Sequence, residues 1–297
     1  MRVVCLTENL GCGGAERQFS ELAVQLTQLG HRVHVVLYHP ADHYLFRLRE
    51  HHIPVRVIRY RNRLHRLVQL RRAISAAGPD AVIVFKSNPA LWAELSSLGR
   101  RKYRLIVSER NFAYQGMSLG TYIRLRLHAF ADVVVTNSRS QCDFIRTSAS
   151  WLRCKTQWIP NTIDLKRFDV ADKRRPSAGR RLHILVLARF EQQKNPLGLL
   201  KGISICKQRC PEAEVMVDWY GSRFFVDGVP SRLSRTYLDC RARIEELGLD
   251  GVFRTHDPVS DVVPLLHRCD VLCLPSLFEG FSNVIAEALA CGVPVLA

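Results

Sequence analysis

The hydrophobic positions in the first half of the chain follow two alternating periods. Short, almost wholly apolar runs are typical of buried parallel strands, and they occupy residues 2–7, 32–38, 55–59, 81–85, 105–108, 133–137 and 156–159. Between several of these runs the apolar residues recur at helical spacing, at residues 15–29, 64–77, 90–98, 122–130 and 140–147. The pattern predicts a parallel sheet with helices on both faces.

The polar residues 169–181 lack this periodicity and predict a linker, after which the alternation resumes. The predicted strands are 183–188, 214–220, 252–255, 271–275 and 293–297, and the predicted helices are 197–209, 231–247, 262–268 and 283–291. We therefore expect an α/β protein with two Rossmann-like, doubly wound domains, 1–168 and 182–297, that face a cleft. The chain ends on an apolar strand without a following turn or polar tail, which predicts that the second domain is incomplete.

The composition is that of a globular protein. With 47% apolar and 24% charged residues among 297, it excludes the disordered and fibrous classes. The longest apolar segment, 284–297, is shorter than the roughly 18 to 20 residues of a membrane-spanning helix, and the first residues do not resemble a signal peptide, so a cytoplasmic protein is expected. The ten cysteines form no C-x-x-C pair, and we interpret them as small apolar residues rather than zinc or redox groups.

The positive charge lies almost wholly in the first half. Residues 1–168 hold 26 Lys and Arg against 11 Asp and Glu, whereas residues 169–297 hold 17 against 16. A one-sided positive field attracts nucleic acid, an acidic ligand or an anionic membrane surface.

Two loops that follow the first strand of a domain are suited to phosphate. Gly13 and Gly14 lie between strand and helix, where backbone N–H groups can face an anion, although a tight turn is an equally good interpretation. Arg189 and Lys194 lie five residues apart after the strand 183–188 and suit a diphosphate, with a solvated loop as the alternative.

Two carboxylates suit sugar hydroxyls. Glu279 lies in a strand-to-helix loop, and Glu287 lies in an otherwise apolar helix, where burial is costly unless the carboxylate has partners. The alternative for Glu287 is an exposed helix face.

Taken together, these residues resemble retaining glycosyltransferases of the GT-B architecture, specifically glycosyltransferase family 4. The resemblance rests on Glu279 and Glu287 as an E-x7-E pair, on the residues 13–17 and 159–164, and on the loop from Arg189 to Asn195. It covers residues 3–297 in the family's order.

The resemblance implies a role for each matching residue. Glu287 binds the ribose of a nucleotide sugar, most simply a UDP-sugar, Glu279 approaches the donor sugar, and Arg189 with Lys194 holds the diphosphate. The remaining donor-binding residues that it implies are Gly13, Gly14, His256, Gly280, Phe281, Ser282 and Asn283.

The first domain departs from the family. Many members carry a His that faces the donor sugar, but residues 107–111 of this chain read Val-Ser-Glu-Arg-Asn. This stretch is similar to members that extend lipid-linked or lipopolysaccharide sugar chains, and we expect Glu109 or Arg110 to touch the sugar or the acceptor. The chain has no Asp-x-Asp, so neither a metal ion nor another cofactor is expected.

A membrane partner is indicated by residues 59–74, which combine six arginines with apolar residues at helical spacing. Such a helix can lie on the inner face of an anionic membrane and bring a lipid-linked or glycan acceptor to the cleft, or it can pack its leucines into the domain core.

Three other functions are considered. One is a nucleic-acid-binding protein, for which no zinc spacing or recognition motif is found. The others are a non-catalytic sugar-nucleotide-binding fragment and an epimerase or phosphorylase of the same architecture.

Overall fold

The computed structural model describes residues 1–11, 13–40, 43–99, 101–110, 116–170, 181–224 and 233–297. Most of the predicted linker, Cys12, Asn111 and the first two residues of the helix predicted at 231–247 lie outside the described residues. The chain divides into two units, Met1–Thr162 and Ile163–Ala297. This division precedes the predicted boundary at residue 168 because Phe168 is buried in a hydrophobic cluster of the second unit.

A parallel sheet forms the centre of the first unit. Its strands are β1 (Arg2–Leu6), β2 (Arg32–Leu37), β3 (Val55–Val57), β4 (Ala81–Phe85), β5 (Arg104–Glu109), β6 (Val133–Thr136) and β7 (Thr156–Trp158). They lie in the order β3-β2-β1-β4-β5-β6-β7. Val3 and Cys5 of β1 face one hydrophobic cluster while Val4 and Leu6 face another, which explains why the strand is apolar throughout.

Helices cover both faces of this sheet. They are α1 (Gly14–Gln28), α2 (Leu45–Glu50), α3 (Arg63–Ala77), α4 (Ser87–Ser96), α5 (Leu119–Leu127) and α6 (Arg139–Ser148), with 3₁₀ turns at His128–Phe130 and Ser150–Leu152. The hydrophobic pattern did not predict α2, because six residues are too few to establish a helical period. In α3, Leu70 and Ile74 are buried while Leu64 is 76% exposed, so only part of its apolar side packs into the core.

The second unit repeats the plan with five parallel strands. These are β8 (Leu182–Leu187), β9 (Val215–Tyr220), β10 (Phe253–His256), β11 (Val271–Cys273) and β12 (Val295–Leu296), in the order β10-β9-β8-β11-β12. Helices α7 (Pro196–Arg209) and α8 (Arg235–Glu246) pack on one face, and α9 (Val263–Arg268) and α10 (Asn283–Ala290) pack on the other. The predicted fold class, two doubly wound α/β sheets, is confirmed.

In each sheet there is a pair of neighbouring strands whose following helices pack on opposite faces of the sheet. In the first unit these strands are β1, which leads into α1, and β4, which leads into α4. In the second unit they are β8, which leads into α7, and β11, which is followed by α10. The diverging loops leave a crevice at the carboxyl ends of these strands, where open α/β sheets bind ligands. We call these two places the first and the second switch point.

The described cysteines form no disulfide, and those fully buried are Cys5, Cys142, Cys240, Cys269, Cys273 and Cys291. Within the described ranges, every helix is too short or too polar to cross a bilayer.

Candidate functional site

Two predicted site residues meet across the second switch point. The ammonium group of Lys194, in the loop after β8, contacts the Glu279 carboxylate, in the loop after β11. The same loops are joined by Gln193, whose Nε2 donates to Phe278 O at 2.7 Å and whose carbonyl accepts from Leu277 N at 2.9 Å. Together with the Lys194–Glu279 contact, three polar contacts therefore join the two loops at the crevice.

Local sequence explains why the loop after β8 takes this shape. Asn195 adopts a left-handed conformation, with φ of 52°, which Asn tolerates better than most residues. Its side chain caps α7 by accepting a hydrogen bond from Gly198 N at 3.1 Å. On the neighbouring strand, a Cβ at Gly221 would lie 1.8 Å from Ala188 O, so only glycine permits this close approach. The end of β8 is thereby fixed against the end of β9.

Arg189 lies in the same loop but has another partner. Its Nη1 is 3.1 Å from Glu191 Oε1, and the side chain is 47% exposed. The structure thus brings Lys194 to Glu279 and engages Arg189 with Glu191. A bound diphosphate would have to compete with a carboxylate for each cation.

Glu287 is buried in α10, with only 2% of the residue exposed. Ser282 caps the start of this helix, and its Oγ accepts from Ile285 N at 3.4 Å. The alternative of an exposed helix face is therefore wrong. Gly280, Phe281 and Asn283 are partly exposed at the start of the same helix, so the predicted donor-binding segment runs from the crevice to the buried carboxylate.

His256, one of the donor-binding residues that the resemblance implies, is fixed by two contacts. Its Nε2 lies 2.7 Å from Asp218 Oδ1, and its ring stacks on Tyr220 with the centroids 4.3 Å apart. The other oxygen of Asp218 lies 2.7 Å from His183 Nε2. A flat aromatic pair therefore stands at the carboxyl ends of β9 and β10.

The first switch point carries a second Lys–Glu pair. Gly13 caps α1, and a Cβ at Gly13 would lie 2.2 Å from Glu16 Oε2, so the Glu16 carboxylate folds against the glycine-rich turn. The ammonium group of Lys86, directly after β4, contacts that carboxylate, and Lys86 has a φ of 75°, which is uncommon for a residue other than glycine. Sequence reasoning missed Lys86, although a cation directly after a buried strand was the signal that selected Arg189.

Glu109 is placed inside the first unit rather than on its surface. It is 1% exposed, its Oε1 accepts from His128 Nε2 at 2.9 Å, and its Oε2 accepts from Ser87 Oγ at 3.1 Å. His128 Nδ1 lies 2.6 Å from Glu94 Oε1, so one fully buried imidazole bridges two glutamates. Sequence reasoning missed this cluster, which we call the buried triad (Glu94, His128 and Glu109).

Burial and charge shift the pKa values of the buried triad in opposite directions. Burial alone would lower the pKa of His128, but hydrogen bonds to Glu109 and Glu94 and their charges raise it to about 9. Burial alone would raise the pKa of Glu109, but His128, Arg124 and Ser87 hold it below its usual value. Burial raises the pKa of Glu94. The imidazole is therefore protonated at neutral pH, and both ring nitrogens donate.

Arg110 is the nearer of the two predicted contact residues to the surface. Its guanidinium lies over the ring of Phe85 at 4.1 Å and donates to Asn161 Oδ1 at 2.5 Å. Burial lowers its pKa to about 10. Glu109 is held by His128 and Ser87. The expectation that Glu109 or Arg110 touches the sugar or the acceptor stays a prediction.

The described residues contain no group of three or more His, Cys, Asp or Glu side chains placed to hold a metal ion.

Two family profiles match most of the chain. The profile of Glycosyltransferase Family 4 matches residues 12–167, and that of Glycosyl transferases group 1 matches residues 181–297. Over 145 residues the chain is 29% identical to the D-inositol 3-phosphate glycosyltransferase of Arthrobacter sp. (strain FB24), a match that covers 46% of the chain and 32% of that relative. The chain thus spans about a third of the length of this relative.

Two further similarities cover almost the whole chain. One is to the N-acetylgalactosamine-N,N'-diacetylbacillosaminyl-diphospho-undecaprenol 4-alpha-N-acetylgalactosaminyltransferase of Campylobacter jejuni, at 22% identity over 97% of the chain and 78% of that protein. The other is to the crystal structure of Anabaena Alr3699/HepE in complex with UDP and glucose, with a TM-score of 0.82, 21% identity and coverage of 100% and 80%. The family match extends over more than half of the residues, and the chain belongs to glycosyltransferase family 4.

Proposed function

We propose that the chain is a retaining glycosyltransferase that moves a hexose or N-acetylhexosamine from a nucleotide sugar, most simply a UDP-sugar, to a lipid-linked or polysaccharide acceptor. The observation that carries the proposal is the Lys194–Glu279 pair across the second switch point, followed by the buried Glu287 in the next helix. Similarity to a protein crystallised with UDP and glucose and to an enzyme named for an undecaprenol-linked acceptor supports it.

Each donor group has a complementary partner in the second unit. Glu287 accepts hydrogen bonds from the ribose hydroxyls, since a buried carboxylate offers two acceptor oxygens. Lys194 and Arg189 neutralise the diphosphate when it displaces the carboxylates that hold them. The stacked rings of Tyr220 and His256 provide an aromatic wall for the base.

In the transfer step, the bond from the sugar's anomeric carbon to the diphosphate breaks, and a bond to an acceptor oxygen forms on the same face. The acceptor proton passes to a diphosphate oxygen, and the nucleoside diphosphate leaves. Lys194 and Arg189 stabilise the charge that develops on the leaving oxygen, while Glu279 approaches the sugar. In the first unit, Arg110 is the contact residue, and the N-terminus of α1 adds positive potential. The N–H group of Gly13, expected to face the donor, donates instead to Gly11 O at 2.9 Å.

Donor turnover tests this proposal. The full chain is incubated with UDP- and GDP-sugars, and release of nucleoside diphosphate is measured with and without acceptor lipid. Lys194→Met is expected to lower kcat/KM roughly 10- to 100-fold, because it removes one charge-assisted interaction with the diphosphate. Lys201→Met, an exposed change of the same charge on α7, is the matched control. Equal loss in both variants, or no turnover of any donor by the parent chain, would contradict the proposal.

We also propose an anionic membrane surface as a partner of the first unit. Leu119 and Ile123 of α5 are 75% and 51% exposed, with Arg126 on the same helix. Exposed apolar side chains next to cations suit the boundary of an anionic bilayer. Leu64 of α3 is also exposed; α3 packs against α4, and α4 packs against α5.

Liposome flotation checks this partner. The parent chain is expected to float with vesicles that contain anionic lipid at low salt, and the double variant Leu119→Glu, Ile123→Glu is expected to stay in the soluble fraction. The control is Leu165→Glu, Leu238→Glu, which alters exposed apolar residues of the second unit. If the α5 variant floats to the same extent as the parent, α5 does not contribute to membrane binding.

A further inference from the structure

An arginine enclosed by three aromatic rings lies in the first unit, outside the site described above. The guanidinium carbon of Arg66, on α3, is 4.0 Å from the ring centroid of Tyr60, 4.8 Å from that of Trp92 and 5.0 Å from that of Tyr38. Tyr38 directly follows β2, and Trp92 lies on the helix that follows β4, so the cluster stands at the carboxyl edge of the sheet. We call these four residues the Arg66 box.

Polar atoms of the Arg66 box are buried without a partner. Within the described ranges, Arg66 Nε and Tyr38 Oη have no hydrogen bond, and Tyr38 is only 2% exposed. Arg66 also forms no ion pair with a described carboxylate, although a guanidinium offers five N–H donors. Buried donors are rarely left unpaired in folded proteins, so the arrangement points to an anion from outside the chain.

Glu8, whose backbone oxygen accepts from Tyr38 N at 3.2 Å, has a carboxylate that is engaged elsewhere. Glu8 Oε1 accepts from Asn88 Nδ2 at 3.3 Å and lies 3.6 Å from His39 Nε2. Asn88 Oδ1 in turn accepts from Trp92 Nε1 at 3.2 Å. Beside the Arg66 box there is therefore a row of amide, imidazole and carboxylate groups, which can exchange hydrogen bonds with sugar hydroxyls while Tyr60 and Trp92 contact the sugar ring.

From this geometry we infer that the Arg66 box binds the acceptor, and that this acceptor is a sugar bearing a phosphate or a carboxylate. That the bound sugar is the acceptor rests on the proposed function. That the Arg66 box binds an anionic sugar does not. Arg66 pairs with the anionic group in the planar, two-point manner of a guanidinium, and the polar row fixes the sugar hydroxyls. A neutral sugar leaves the buried Nε of Arg66 unpaired and binds more weakly.

Calorimetric titration of the full chain without donor tests the inference. The probes are glucose 1-phosphate, glucuronate and glucose, so that a phosphate source and a carboxylate source are distinguished. We expect at least one anionic sugar to bind ten times or more tightly than glucose, and Arg66→Gln to weaken that binding about 10- to 100-fold. The control is Arg72→Gln, an exposed change of the same charge on the same helix.

Further arms separate failure of this inference from failure of the proposed function. Arg66→Lys keeps the charge but loses the planar fork, and we expect it to recover only part of the affinity. If Arg66→Gln does not fold, Trp92→Leu replaces it, and the same loss of anionic-sugar affinity is expected. Glucose binding as tight as either anionic sugar, or unchanged affinity in the Arg66 variants, overturns the inference. Absence of UDP binding with intact anionic-sugar binding counts against the proposed function alone.

Discussion

Replacement of His128 by Ala is expected to cost the first unit about 3 to 5 kcal/mol of folding free energy. The His128 side chain is fully buried and bridges Glu94 and Glu109 at 2.6 and 2.9 Å. Removing the imidazolium leaves two carboxylates in the interior. Among the described residues, the cation that still pairs with them is Arg124, whose Nε is 3.7 Å from Glu109 Oε1. An uncompensated buried charge is among the most destabilising changes in a protein.

The same triad gives the first unit a defined pH dependence. Because the folded-state pKa of His128, about 9, exceeds its usual value of 6.5, the bound proton stabilises the fold fully below pH 6.5. That stabilisation is lost as the pH rises towards 9. Glu109, with its pKa lowered, contributes stability at neutral pH that is lost only as the solution becomes acidic. We expect the parent to lose roughly 3 kcal/mol between pH 6 and pH 9.5 and His128→Ala to lose much less.

Hydrogen exchange of the amides in β4 and β5 reports the unfolding free energy of the first unit separately from the second. The control is His31→Ala, a partly exposed His directly before β2. The double variant Glu94→Gln, His128→Ala is expected to recover part of the loss, since one buried charge is removed. Equal stability of His128→Ala and His31→Ala at pH 6 would show that the triad does not support the fold.

Replacement of Glu287 by Gln is expected to weaken donor binding about 100-fold or more. A carboxylate that receives both ribose hydroxyls makes two charge-assisted hydrogen bonds, each contributing about 1.5 to 3 kcal/mol. Gln has nearly the same shape, so the buried position in α10 stays filled, but it carries no charge. The measurement is the dissociation constant of the nucleotide, taken from calorimetric titration of the full chain.

Two comparisons make this result specific. Glu212→Gln, an exposed change of the same charge in the second unit, is expected to bind the nucleotide as the parent does. The ratio of affinities for the ribonucleotide and its 2′-deoxy form is expected to shrink in Glu287→Gln, because the carboxylate no longer distinguishes them. Unchanged nucleotide affinity in Glu287→Gln would refute the ribose assignment.

Local sequence was sufficient for most of the fold. The strands of the doubly wound sheets are apolar on both faces, and this pattern located β1, β4 and β8 to within a residue at each end. It failed where the period could not be established: α2 has six residues, and β3 has three where the pattern predicted five. The carboxyl ends of the predicted strands also selected the loop after β8, where Lys194 meets Glu279.

Contacts between distant residues could not be predicted in this way. His128 lies 34 residues from Glu94 and 19 from Glu109, and nothing in their local sequence indicates that one imidazole bridges both. Without that contact, Glu109 and Arg110 were equal candidates for touching the sugar or the acceptor, and the burial of Glu109 was not foreseen. The Arg66 box was missed for the same reason, since its rings come from the residue after β2, from the segment before α3 and from α4. Burial of Glu287 was foreseen only as one of two alternatives.

The central claim is that a nucleoside diphosphate sugar binds at the second switch point. Amide hydrogen exchange of the full chain, with and without UDP-glucose, tests it most directly. Slower exchange is predicted at residues 190–195 and 280–283, whose loops join Lys194 to Glu279 and lead to Glu287, with no change in α8. Protection confined to the first unit, or none at saturating UDP- and GDP-sugar, would contradict the claim.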